Sequence, residues 1–383
     1  MSLRSTNGQD LCLLERYAAI SNAANNPTVH IKAYPGYGLR SATGQWKIYV
    51  SGVVWHGPVV FNRRQKMLIK MLGGVMQASP AELECETFVN RVTPFMAECD
   101  TKERVSVELG NLKIDLKRKT KRNGRFQEWL TVENELIQSL QQQYGHGNPI
   151  PFAANVIDAD AIGDDSSSSC VIHLLPSNGV SIISDIDDTI KESDVTNKRE
   201  LLNNTFLREF ESVHGMSETY RNWAEAGTCF HYVSSSPWQL FTSLDELKSV
   251  HQFPVGTMHL RNFRLRDQLL RKVIIRRQGK RVAIQRLIKN LPLRRYILIG
   301  DSGEKDPEIY RKICRKNPNS VAAVFIRDLD DRPMESERWQ KLKDQLPHGV
   351  CELFNNGDDL RKKAEPVFAA LAANVTSPVH VST

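Results

Sequence analysis

Hydrophobic positions along this chain change rhythm once, near the middle. Up to about residue 140 they come in short runs broken by turn residues. Thr28–Ala33, Trp46–Val54, Arg104–Leu109, Leu112–Lys117 and Arg125–Val132 read as strands, being short apolar-polar segments bounded by turn formers. Pro35-Gly36-Tyr37-Gly38, Leu109-Gly110-Asn111 and Arg122-Asn123-Gly124 read as the turns that separate them. Arg64–Met76 departs from this pattern, with Met67, Leu68, Met71, Leu72 and Val75 at helical spacing, a stripe suited to core packing. The polar residues 1–27, with a short helical pattern at Leu11–Ile20, precede a β-rich domain over 28–140 that carries one helix and no catalytic constellation.

Residues 141–170 are polar, running from Gln141-Gln-Gln-Tyr-Gly-His-Gly to Asp164-Asp-Ser-Ser-Ser-Ser, and read as a linker. Beyond them strands and helices alternate. Gly179–Ser184, Cys229–Val233, Val255–Leu260, Arg295–Gly300 and Ser320–Ile326 have strand patterns, and Arg199–Ser212, Ser217–Ala226, Gln239–Val250, Arg281–Lys289 and Pro307–Lys316 have helical ones. Such alternation predicts a parallel sheet with helices on both faces over 171–333. Residues 334–383 hold two more helical patterns and a polar tail from Thr376.

At 383 residues the chain is long for a single core. No apolar run approaches the length of a bilayer span, and the first residues lack the apolar core of a signal peptide, so a cytoplasmic protein is expected. Seven cysteines without paired spacing argue against a disulfide framework or a structural zinc site. The formal charge of +7 is concentrated between Arg261 and Arg295, where Lys and Arg face a single acid, Asp267. That run suits an anionic membrane surface or a phosphorylated substrate. It suits nucleic acid poorly, since Phe263 is its one interleaved aromatic before Tyr296.

The candidate chemistry lies where apolar runs stop. Val180–Ser184 ends in Asp185-Ile-Asp-Asp-Thr189, and in extended backbone Asp185 and Asp187 share a side. Two carboxylates so placed favour a bound cation or a shared proton. A calcium loop of the EF-hand type is excluded, because Ile190 stands where glycine is required and Thr196 where glutamate is expected. Phe230–Val233 runs into Ser234-Ser235-Ser236-Pro237-Trp238, a hydroxyl and backbone N–H set suited to a phosphate. Lys280 precedes a helix, and Tyr296–Ile299 runs into Gly300-Asp301-Ser302-Gly303-Glu304-Lys305-Asp306-Pro307. Asp306 with Pro307 also has the form of a helix start.

Taken in order, these motifs resemble those of the haloacid-dehalogenase superfamily of phosphotransferases. Asp185-Ile-Asp-Asp-Thr-Ile-Lys-Glu-Ser193, Tyr232-Val-Ser-Ser-Ser-Pro-Trp-Gln-Leu240 and Ile299-Gly-Asp-Ser-Gly-Glu-Lys-Asp-Pro-Glu-Ile-Tyr310 are similar to the catalytic domain of yeast actin-patch-protein-type phosphatidate phosphatases. The likeness covers about residues 171–330. It implies an α/β fold, a Rossmann-like parallel sheet of the haloacid-dehalogenase type with a small helical cap between Thr189 and Cys229. It also implies a nucleophile, Asp185, that carries an aspartyl-phosphate, and an acid/base, Asp187. Thr189, Ser234, Ser235 and Lys280 become the phosphate-binding candidates. Magnesium becomes the expected cofactor, held by Asp185, Asp301, Asp306 and the backbone carbonyl of Asp187.

Phosphatidate at a membrane surface, cleaved to diacylglycerol and phosphate, is the implied substrate, with Trp238 and the basic run as the candidate contacts to an anionic interface. Ser235 stands where the family usually has asparagine, a departure that bears on leaving-group contacts. Two alternatives stay open: the same chemistry on a soluble phosphomonoester or phosphoprotein, and a lipid- or protein-binding module without turnover. The paired acid argues against the last, since binding alone needs no acid/base.

Overall fold

A computed structural model describes residues 29–56, 63–96, 102–157, 166–261, 278–330, 332–346 and 350–376. The expected N-terminal helical piece, the last residues of the tail and most of the basic run, from Arg264 to Arg277, lie outside the described residues.

The N-terminal strands β1 (Val29–Arg40), β2 (Trp46–His56), β3 (Arg104–Leu109), β4 (Leu112–Asp115), β5 (Arg125–Val132), β6 (Ile150–Ile157) and β7 (Ser167–Leu175) form one sheet. Its order is β4-β3-β6-β7-β1-β2-β5, antiparallel throughout except where β1 meets β7. Two sequence expectations fail here. Pro35-Gly36 is not a turn: β1 runs through it, and the register against β2 shifts between Tyr34 and Tyr37. A bulge absorbs a proline that has no N–H for the ladder. Gly36 is required there because a Cβ would overlap the carbonyl oxygen of Tyr49.

Residues 141–170 are likewise no linker, for they contain β6 and the start of β7. Polar flanks hid the strict alternation of buried and half-buried positions along β6. In β7 a buried serine, Ser168, accepts a hydrogen bond from the Ala33 N–H at 3.0 Å. The domain also carries more helix than the single Arg63–Met76 segment expected, including Pro80–Leu83, Glu86–Val92 and Asn134–Tyr144.

The second sheet consists of β8 (Gly179–Ser184), β9 (Cys229–Pro237), β10 (Gly256–Arg261), β11 (Arg294–Asp301), β12 (Val321–Arg327) and β13 (Val350–Phe354). Every neighbouring pair is parallel, in the order β10-β9-β8-β11-β12-β13. Alternate residues feed two cores, which is why the strands read as unbroken apolar runs. Ile182, Ile299 and Phe325 pack with helices Met216–Glu225, Phe241–Val250 and Gly357–Thr376; Ile183, Leu298 and Val324 pack with Gln278–Asn290, Asp306–Lys316 and Ser336–Lys343. β13 is a half-buried edge strand within residues 334–383, where the sequence pattern predicts only helices.

The chain is thus mixed α/β, a β-rich N-terminal part beside a parallel sheet. The order places successive strands to one side of β8 and then crosses to β11 on the other. Such a reversal opens a crevice at the carboxyl ends of the strands. No helix among the described residues is long and apolar enough to cross a membrane.

Candidate active site

The reversal brings the candidate residues together. Asp185 directly follows β8, its N–H donating to the Ile299 carbonyl of β11 at 2.9 Å. Asp301 ends β11 and Asp306 opens the helix Asp306–Lys316. Lys280 lies in the first turn of Gln278–Asn290. The Lys280 Nζ is 2.9 Å from Asp185 Oδ1 and is also ion-paired to Asp306 Oδ1. Ligand oxygens of Asp185, Asp301 and Asp306 lie within 4.8 Å of one another, all buried. Asp185 Oδ2 and Asp301 Oδ2 have no protein hydrogen-bond partner.

This cluster is short of positive charge. Burial raises the carboxyl of Asp185 well above the ordinary range; Lys280 opposes the shift, while Asp306, Asp301 and Glu304 reinforce it. Burial raises Asp301 in the same way, with Asp306 and Glu304 adding to it. Burial alone would lower the ammonium of Lys280, but Asp185, Asp306, Glu304 and Asp301 outweigh it and hold the group above its usual value. Gly300 keeps the cluster tight, since a Cβ there would overlap Asp306 Oδ2.

Asp187 belongs to a different electrostatic setting. Its Oδ1 accepts from Lys191 Nζ at 2.9 Å and Ser193 Oγ at 2.8 Å, and its Oδ2 from Ser236 Oγ at 2.6 Å and Ser234 Oγ at 3.3 Å. Burial favours its neutral form, yet the Lys191 charge and the hydrogen bonds from Ser236, Lys191 and Ser193 hold it down at about 2. Its carboxylate is outside the three-carboxylate group; the contribution expected of it there was through its backbone carbonyl. Asp188 shapes the loop: it has φ 52°, and its carboxylate accepts from the N–H groups of Ser193, Asp194 and Val195 at 2.7, 2.9 and 2.6 Å. That fold-back lets Lys191 reach Asp187.

Ser234 is buried, its Oγ accepting from the Ser236 N–H at 2.9 Å. Ser235 is half-buried and hydrogen-bonds the side chain of Glu304. Thr189 is fully buried and its hydroxyl has no protein partner. The structure therefore gathers Asp185, Lys280, Asp301 and Asp306 in one cluster and Asp187 and Ser234 in an adjoining one.

Residues 180–328 match the family model described as phosphatidate phosphatase APP1, catalytic domain. This segment is an APP1-type catalytic domain. Phosphatidate phosphatase APP1 of Saccharomyces cerevisiae is 32% identical over 168 residues, covering 42% of this chain and 28% of that protein. An uncharacterized protein of Schizosaccharomyces pombe is 33% identical over 163 residues, covering 41% of this chain and 26% of its own. The matched part thus spans little more than a quarter of either relative. Among solved structures, an uncharacterized protein from Listeria monocytogenes serotype 4b aligns over 50% of this chain and 99% of its own, with a TM-score of 0.33 and 10% identity.

The APP1-type domain contains partners that the strand-end logic missed. Lys191, Ser193 and Ser236 hold Asp187, and Glu304 is buried enough to be pushed up to about 7, against the pull of Lys280. All four fall inside the motifs already singled out, at positions that look like solvated loop. The apolar residues of the segment between β8 and β9, among them Phe206, Met216, Tyr220 and Trp223, are buried in the core.

Proposed function

We propose that the APP1-type domain is a magnesium-dependent phosphatase that hydrolyses phosphatidate to diacylglycerol and phosphate through an aspartyl-phosphate on Asp185. The observation that carries this is the state of Asp185: one oxygen is fixed by Lys280, and the other is buried without a protein partner. The proposal includes a haloacid-dehalogenase-type architecture, with the helices between β8 and β9 as a small cap. The match to the APP1 catalytic family supports the lipid substrate.

The donor set fits magnesium, being all oxygen, anionic and buried, with two carboxylate oxygens unclaimed by the protein. Bound to Asp185, Asp301, Asp306 and the Asp187 backbone carbonyl, the ion would supply positive charge offsetting the repulsion between nucleophile and phosphate. Asp185 attacks phosphorus as the bond to the leaving oxygen breaks. Asp187 delivers a proton to that oxygen, then takes one from the water that attacks the aspartyl-phosphate. Its ionised resting form suits the second step, and an arriving phosphate dianion opposes that form and favours proton uptake for the first. Lys280 balances charge on Asp185, with Ser234, Ser235 and Thr189 as the hydroxyls proposed for the phosphoryl oxygens. The lipid bilayer surface is the proposed place of reaction.

The test is phosphate release from phosphatidate in detergent mixed micelles with magnesium. Wild type is expected to be active, and Asp185→Asn or a chelator to abolish the activity. Hydrolysis of soluble phosphomonoesters without phosphatidate would remove the lipid substrate, and inactivity on both would remove the phosphatase itself.

A further inference from the structure

Among its described residues the N-terminal part places no side chain in either cluster, yet it reaches Asp187 through three side chains. Arg91, in the helix Glu86–Val92, is 6% exposed. Its guanidinium donates to the Thr205 carbonyl at 3.2 Å and to the Arg208 carbonyl, gripping the segment that follows β8. The same guanidinium stands 3.9 Å from the centre of the Phe210 ring. Lys191 Nζ lies 4.7 Å from that ring centre and 2.9 Å from Asp187 Oδ1. Two cations on one ring are tolerated because the π face is negative, and because Lys191 is neutralised by Asp187. Lys191 is 1% exposed, so it cannot swing into water without opening the core.

We propose that Arg91, Phe210 and Lys191 form a positioning relay by which the N-terminal part holds the Asp187 carboxylate at the leaving oxygen. The N-terminal part is then a component of the catalytic unit. Other contacts hold the same segment in place: Phe88 and Phe95 pack edge-on against Phe206 at 6.2 and 5.6 Å, and Arg199 Nε donates to the Met76 carbonyl at 3.2 Å. Those contacts fix the segment. A second connection runs from Asn204 Nδ2 to the Ser193 carbonyl at 3.1 Å and from Ser193 Oγ to Asp187; the relay is the one that carries the charge of Lys191 to Asp187, and it rests on Asp187 being the acid/base of the proposed function.

The leaving group separates positioning from general support. An alkyl phosphate such as glycerol phosphate needs its leaving oxygen protonated, whereas p-nitrophenyl phosphate expels a stable phenolate and needs little help. Lys191→Met should lower kcat on glycerol phosphate by about 10²-fold, the lower end of what general acid–base catalysis supplies, and should lower kcat on p-nitrophenyl phosphate less, because that substrate escapes the acid step and needs Asp187 only as the base for the attacking water. Phe210→Leu and Arg91→Met should show the same selectivity at about tenfold. Arg91→Lys, which keeps the charge but loses the two-carbonyl fork, should recover part of the loss. Circular dichroism and melting curves identify folded variants; if Lys191→Met does not fold, Phe210→Leu and Arg91→Lys decide the matter. Equal losses on both substrates, or none, in folded protein would overturn the relay while leaving the phosphatase intact. A wild type inactive on both substrates overturns the enzymatic reading and the relay with it.

Discussion

Replacing Lys280 by Met tests whether one buried cation balances the carboxylate cluster. Lys280, Asp185 and Asp306 are 3%, 1% and 0% exposed, so solvent screens their interaction little. Methionine preserves most of the volume and removes the charge. Breaking a buried pair by deleting one partner costs about 3–5 kcal/mol, because the surviving charge stays buried. The dependence on pH has a definite sign. The Lys280 ammonium is held above its ordinary value, so its contribution is present below about 10.4 and nearly constant through neutrality. Asp185 and Asp301 are raised above their unfolded values, so each favours folding at acid pH and loses that contribution as pH rises through its folded value. Without Lys280 both carboxyls rise further, and more of the loss falls in the neutral range. Urea unfolding in a chelator, followed by tryptophan fluorescence at about pH 5 and about pH 8, should show a deficit that is larger at the higher pH. A deficit below about 1 kcal/mol, the scale of a surface pair, or one equal at both pH values, would refute the assignment.

Gly300→Ala places a Cβ over Asp306 Oδ2 and 2.8 Å from the Asp306 Cβ and Cγ, while Pro307 stiffens the backbone beyond. It should cost about 1–3 kcal/mol of overpacking and raise the magnesium concentration needed for phosphate release; an unchanged magnesium titration would contradict the proposal that the three-carboxylate cluster holds the ion. His231 is fully buried between Ser181 Oγ at 3.3 Å and Thr257 Oγ1 at 2.7 Å, and burial, aided by His259, Arg294 and His173, holds its pKa well below the usual value. Its contribution is therefore present above about 6.5 and falls away as pH drops, with a limiting slope of about 1.4 kcal/mol per pH unit. His231→Gln should flatten stability against pH on the acid side, and an unaltered slope would show that His231 is not responsible.

What was legible in the sequence follows from how each element is buried. β8, β11 and β12 are covered on both faces, so they read as apolar runs, and Asp185 and Asp301 stand out where those runs stop. β6 and β13 carry half-buried positions and polar flanks, and the periodicity was lost beside them. Lys191 was illegible for another reason. In Ile190-Lys191-Glu192 it looks like a surface lysine, and it becomes a buried counter-ion only because Asp188 turns the chain at positive φ. Arg91 gave no signal at all, since its partners Thr205 and Arg208 are more than a hundred residues away along the chain.

The two lysines divide the site into compartments with opposite needs. Lys280 serves Asp185 and Asp306 directly, with Asp301 and Glu304 also feeling its charge, so that compartment remains electron-rich and would gain from a divalent cation. Lys191 serves Asp187 alone among these carboxylates, with hydroxyls of Ser193, Ser234 and Ser236 completing its shell, so that compartment is already neutral. Carboxyls pushed apart in this way are the usual basis for assigning different roles to like groups. A cation entering the first compartment would neutralise the surroundings of Asp185, the proposed nucleophile, without competing for the side chain of Asp187, the proposed acid/base. The N-terminal part meets the second compartment through Arg91 and Phe210: a metal would help to organise the first, whereas the second is organised by the Lys191 ion pair, the serine hydroxyls and the packing around them.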